Sequence, residues 1–83
     1  MIMSNWKKVD DKPDYVRWSN KTAGRLTLVR ASKGEVFVGK WSVWYNVMAQ
    51  GGLADQNGIG IYNSRAEAVA AARKWMKEHP NGD

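Results

Sequence analysis

Apolar and polar residues alternate along most of this chain, and the period of the alternation changes only once, near the C-terminus. Residues 15–19 and 25–31 each alternate with a period of two, which predicts half-buried strands. The strongest run spans 36–47. There Phe37, Trp41, Val43, Tyr45 and Val47 share one parity, and Lys40, Ser42, Trp44 and Asn46 share the other. A run that long exceeds an ordinary strand, so Gly39 marks a bulge or bend within it. Short strands over 5–9 and 58–62 complete the set. Turns are expected at Asp10-Asp11-Lys12-Pro13-Asp14, at Asn20-Lys21-Thr22-Ala23-Gly24 and at Ser32-Lys33-Gly34-Glu35, with a flexible connection over 48–57.

From Ser64 onward the period becomes helical. Ser64 is an N-cap, and Glu67 three residues later completes a capping box. Ala68, Val69, Ala71, Ala72, Trp75 and Met76 fall on one face; Glu67, Arg73, Lys74, Lys77 and Glu78 fall on the other. Pro80 ends the helix, and residues 1–14 and 79–83 are expected to be poorly ordered.

A helix with one apolar face needs a surface to cover, and an antiparallel sheet offers one. The expected fold is α+β, a single domain over 1–83. An antiparallel β-meander of three to five strands carries one C-terminal α-helix on one face, and the other face is open.

Composition narrows the chemistry. The 83 residues include five tryptophans, three tyrosines and one phenylalanine, but no cysteine and one histidine. Disulfides, thiolate nucleophiles and cysteine-held zinc or iron–sulfur sites are excluded. Gly34-x-x-x-x-Gly39-Lys40 has P-loop spacing, yet Trp41 stands where Ser or Thr would hold magnesium, and the intervening residues read as strand. Asp55-Gln56-Asn57-Gly58 hints at a calcium loop whose closing carboxylate would be Ala66. Asp10, Asp11 and Asp14 read as a solvated turn, and His79 as a helix-terminal cap. No nucleophile, base and orienting group can be assembled, so the expectation is a protein that is not an enzyme, with no cofactor and no metal. No apolar run approaches the about 20 residues of a spanning helix, and no signal-like segment opens the chain, so a cytoplasmic protein with no membrane partner is expected.

Charge adds a direction. The chain carries 13 basic and 8 acidic residues, net +5. Nine of the basic and four of the acidic residues lie in 1–40, so the excess sits in the strand-rich half. If Val16, Trp18, Leu26 and Leu28 face the helix, the open face carries Tyr15, Arg17, Arg25, Thr27, Lys40, Ser42, Trp44 and Asn46. That surface interleaves cations with aromatic rings, a pattern suited to phosphates and bases. The candidate nucleic-acid-binding residues are Arg17, Arg25, Lys40 and Trp44, with Arg30 and Lys33 flanking from the hairpin end.

Gly60-Ile61-Tyr62-Asn63-Ser64-Arg65-Ala66-Glu67-Ala68 resembles the Gly-x-aromatic-x-Thr-x-Glu-Glu-Ala stretch of AP2-type DNA-binding domains and phage-integrase arm-binding domains. Gly39-Lys40-Trp41-Ser42-Val43 is similar to their second strand. The resemblance, over residues 39–76, implies a sheet backed by a C-terminal helix that enters the DNA major groove, with Lys40 and Trp41 or Trp44 approaching DNA. The chain departs from the pattern in having only Arg25 and Arg30 on the corresponding first strand, and in its longer 48–57 connection.

Two functions stand side by side. One is a small nucleic-acid-binding protein, with DNA ahead of RNA, using the open sheet face. The other is a protein-interaction module, a phage or mobile-element inhibitor or adaptor of a host protein or a homodimer, centred on Trp44 and the Gly51-Gly52 loop.

Overall fold

Five antiparallel strands lie side by side in the order in which the chain makes them: β1 (Trp6–Asp11), β2 (Tyr15–Thr22), β3 (Arg25–Lys33), β4 (Trp41–Met48) and β5 (Asp55–Tyr62). The helix α1 (Arg65–Glu78) packs on one face, giving the expected α+β architecture. The structure, a computed structural model, describes residues 5–22, 25–34, 38–48, 55–80 and 82. Expectations that fall on Ala23-Gly24, on Glu35, Val36 and Phe37, and on the Gly51-Gly52 loop lie outside the described residues.

Strand boundaries differ from those read in the alternation. Asn20, Lys21 and Thr22 continue β2 instead of turning. β4 begins only at Trp41, because Val38 and Gly39 form a turn in which Gly39 has φ +79°. The Gly34 N–H donates to the Lys40 carbonyl at 2.8 Å and closes this connection. β5 starts at Asp55, earlier than the apolar Ile59 and Ile61 suggested.

The parity of β3 is the opposite of that expected. Its register with β2 sets Thr27 against Asn20, Val29 against Trp18 and Ala31 against Val16, and all six are buried on the helix side. Leu26 and Leu28 therefore face away from the helix, and Arg25 and Thr27 lie on the helix side. Both parities of β3 hold two aliphatic residues, so apolarity does not choose between them. The choice follows from the neighbours. Val29 and Ala31 meet the alanine face of the helix, and the Thr27 hydroxyl donates to the Gly82 carbonyl at 3.0 Å.

The core lies between sheet and helix and comprises Trp6, Val16, Trp18, Val29, Ala31, Trp41, Val43, Ala68, Ala72 and Met76. Alanine at 68 and 72 lets the helix axis approach the sheet, and Met76 fills the space beyond them. Ser64 caps the helix by accepting from the Glu67 N–H at 3.2 Å, while Glu67 reaches back to the Asn63 N–H at 3.0 Å. At the other end the Trp75 ring stacks on Tyr45 and on His79, at centroid distances of 4.5 and 4.0 Å. His79 Nδ1–H donates to the Trp75 carbonyl at 2.7 Å, the capping role expected for it.

β1 clasps both ends of the helix. Asp11 accepts from Arg65 at 2.5 Å beside the helix N-terminus, and the Trp6 indole donates to the His79 carbonyl at 3.0 Å beside its C-terminus. After the helix, Pro80 and Gly82 lie over β2 and β3, where Asn20 donates to the Pro80 carbonyl at 3.0 Å. Each edge strand carries one extra residue, Val9 in β1 and Ile59 in β5. Such bulges twist an edge out of line for pairing with another chain. Among the described residues, no helix is long and apolar enough to cross a membrane.

Candidate functional site

Because successive side chains of a strand point to opposite faces, the cross-strand register reads out the open face directly. One row runs across the whole sheet: Asp10 opposes Arg17, Arg17 opposes Arg30, Arg30 opposes Trp44, and Trp44 opposes Gly58. Neighbouring rows hold Tyr15, Ser32, Ser42 and Ile61 on one side, and Lys7, Ser19, Leu28 and Asn46 on the other. Lys21, Leu26 and Met48 form the next. Among the described residues of these strand rows there are four cations, Lys7, Arg17, Lys21 and Arg30, against the carboxylate of Asp10.

Arg17, Arg30 and Trp44 of the sequence-derived set are thus brought into one row. The other three are not. Arg25 takes the helix-side parity because of the β3 register. Lys40 precedes β4 and donates to the Asn63 side chain at the corner leading into the helix. Lys33 ends β3 opposite Trp41, and its side chain rims the groove described next without joining the row. Thr27, also expected outside, is 1% exposed.

A shallow groove of about 370 Å³ lies at the β2–β3 end of the row, lined by Asp14, Tyr15, Arg17, Arg30, Ser32 and Lys33. Three cations and two hydroxyls against the one carboxylate of Asp14 leave the depression net positive, which suits an anionic group that keeps part of its hydration. Arg17 is held in place from two sides. Its Nε donates to Asp10 Oδ2 at 2.6 Å, and its guanidinium carbon stands 5.6 Å from the centre of the Tyr15 ring. Asp10 therefore fixes the geometry of Arg17 and offsets part of its charge.

Trp44 is set apart from the other tryptophans: Trp6, Trp18 and Trp41 are buried in the core and Trp75 packs against it, whereas Trp44 faces out. The indole lies on β5 over Gly58, where an added Cβ would meet Trp44 Cζ3 at an ordinary contact distance of 3.5 Å. The indole N–H of Trp44 and the hydroxyl of Ser42 are covered yet have no hydrogen-bond partner among the described residues.

The aliphatic residues Leu26, Leu28, Met48 and Ile61 also lie on this face, Ile61 being 43% exposed. The sequence reading of the open face takes the two leucines as facing the helix. The signal that would have found them is the tie between the β3 parities, resolved by the polar pair Asn20 and Thr27.

Asp11, on the opposite face, has its carboxyl pushed below the ordinary range. Its hydrogen bond to Lys8 is the main cause, followed by the charge of Lys8 and then by Arg65. It belongs to the β1–helix clasp and lies apart from the row.

The chain matches no known protein family, no curated protein sequence and no solved structure.

Proposed function

We propose that this chain is a small, non-enzymatic nucleic-acid-binding protein that uses the face of the sheet opposite the helix. The observation that carries the reading is the registered row Arg17, Arg30, Trp44 on three adjacent strands. Two guanidiniums at the spacing of neighbouring strands, about 4.8 Å, can share phosphates of one backbone, and the adjoining indole offers a flat apolar surface to a base or sugar. Rigid strands position these groups without the ordering cost that a loop would carry. The net charge of +5 adds a long-range attraction for a polyanion.

The competing reading, a protein-interaction module centred on Trp44, draws on Leu26, Leu28, Met48 and Ile61 around the same ring. It predicts an interface that salt hardly affects. Salt therefore separates the two.

The test is the affinity for mixed-sequence DNA over a salt series. If three to four cations of the face each neutralise a phosphate, Arg17 being partly offset by Asp10, log K falls against log salt with a slope of about −2.1 to −2.8 for single strands or −2.7 to −3.6 for duplex. Arg30→Ala should weaken binding and flatten the slope, whereas Lys77→Ala on the outer helix face should change neither beyond a general charge effect. Absence of binding at low salt overturns the reading.

A further inference from the structure

The open face is divided lengthwise into a charged lane and an apolar lane, and we infer that the division fits a single strand of DNA with its bases laid on β3 and β4. This rests on the nucleic-acid reading above and narrows it to one kind of ligand.

The charged lane lies on β1 and β2 and holds Lys7, Arg17 and Lys21, with the Asp10 carboxylate paired to Arg17. Residues on the same face of a strand repeat every about 6.8 Å, so Arg17 and Lys21 stand about 14 Å apart, with Lys7 beside the intervening Ser19. The second, mainly apolar lane consists of three cross-strand pairs, Leu26 with Met48, Leu28 with Asn46 and Arg30 with Trp44, of which Arg30 stands beside Arg17 at the border with the charged lane. A backbone following the first lane would drop its bases onto the second, one to two strand spacings away, or about 5–10 Å.

A duplex keeps its base faces stacked inside. Against this sheet it would present phosphates, sugars and groove edges, leaving Leu26, Leu28 and Met48 desolvated against polar groups. An unstacked base has an apolar π-face that such side chains and the Trp44 ring can cover. Asn46, in the middle of the apolar lane, supplies an amide for a base edge. The sugars would cross the border of the two lanes, between Ser19 on β2 and Leu26 and Leu28 on β3. Aliphatic surface accepts the 2′-methylene of deoxyribose, whereas most of these positions would leave a 2′-hydroxyl without a partner. The described part of the face follows strands of eight residues, roughly 27 Å long, and suits a footprint on the order of four nucleotides, the low end for one small fold.

The experiment compares the 83-residue chain with four probes of one short mixed sequence at the same salt: single-stranded DNA, its duplex, the RNA strand, and an abasic DNA strand. Side-chain signals of Leu28, Met48 and the Trp44 indole N–H are followed by NMR. The single DNA strand should bind roughly tenfold or more tightly than either the duplex or the abasic strand, since each stacked base is lost in both, and more tightly than RNA. All three side-chain signals should move. Leu28→Ser should lower single-strand affinity while leaving duplex affinity unchanged. Should that variant lose its dispersed amide spectrum, Met48→Ser at the lane's end takes its place. Duplex or abasic DNA binding as tightly as the single strand overturns this inference and leaves the nucleic-acid reading standing. RNA binding as tightly overturns the assignment to DNA. No binding to any probe at low salt overturns both.

Discussion

Asp10 on β1 holds the Arg17 guanidinium of β2, with Nε and Oδ2 2.6 Å apart, at the end of the row that crosses the open face. The contact orients Arg17 and also competes with any phosphate for it. Asp10→Asn keeps the side-chain shape while removing the charge. Affinity for single-stranded DNA should rise roughly two- to fivefold, the size expected when a half-exposed pair worth up to about 1 kcal/mol is released. The salt slope should steepen by up to about 0.7. Both are read from one titration series, and an unchanged or lowered affinity would remove Arg17 from the interface.

Two glycines of β5 should respond differently to the same substitution. A Cβ at Gly60 would lie 2.5 Å from the Tyr62 hydroxyl and 2.8 Å from Cζ, because that ring folds back over Gly60. Gly60→Ala must displace the ring and should cost about 1–3 kcal/mol of stability in urea unfolding. At Gly58 the new Cβ would meet Trp44 at an ordinary 3.5 Å, so Gly58→Ala should leave stability nearly unchanged.

Much of this architecture was legible from spacing alone. The helix announced itself through Ser64, Glu67 and the buried series Ala68, Ala72 and Met76, because capping chemistry and a 3.6-residue period are local properties. The meander followed from successive short alternating runs. The parity of β3 did not. Leu26 and Leu28 compete with Val29 and Ala31 on equal terms, and the choice rests on contacts far away in the chain, including the bond from Thr27 to Gly82. Arg17, Arg30 and Trp44 were visible as candidates, but their alignment in one row depends on register, which a single strand's pattern does not encode. Lys40 fell outside the face for a related reason: a turn at Val38 and Gly39 ends the apparent long strand before it.

The tail over β2 and β3 should be a measurable part of the fold. Thr27→Val preserves shape but removes the donor to the Gly82 carbonyl at a site 1% exposed. Leaving that carbonyl without its partner should cost about 1–3 kcal/mol. Gly82→Ala acts on the same contact from the other side. Gly82 has φ +82°, and a Cβ there would lie 2.6 Å from Thr27 Oγ1. A loss of at least about 1 kcal/mol is expected from the backbone conformation alone. Unfolding midpoints unchanged in both variants would show that the tail contributes nothing.

Acid should loosen the clasp between β1 and the helix. The Asp11 carboxyl is held below the ordinary carboxylate range of about 3.9, chiefly by its hydrogen bond to Lys8 and less by Arg65. A depressed folded-state value means that the contribution is fully present above the unfolded value and is lost as pH falls through the folded one. Asp11 is exposed, so the effect on stability should be small and should shrink further in salt. Carboxyl shifts followed by NMR should show a low midpoint that returns toward normal more in Lys8→Ala than in Arg65→Ala.

The central claim is that the face opposite the helix is the nucleic-acid surface. Its most direct test follows backbone amide shifts while isotope-labelled protein is titrated with single-stranded DNA at low and moderate salt, with heparin as a polyanion control. Shifts should cluster on Arg17, Arg30, Trp44 and their row neighbours, weaken with salt, and differ in pattern from those caused by heparin. Shifts confined to the outer helix face around Arg73, Lys74 and Lys77, or a heparin pattern identical to that of DNA, would contradict it.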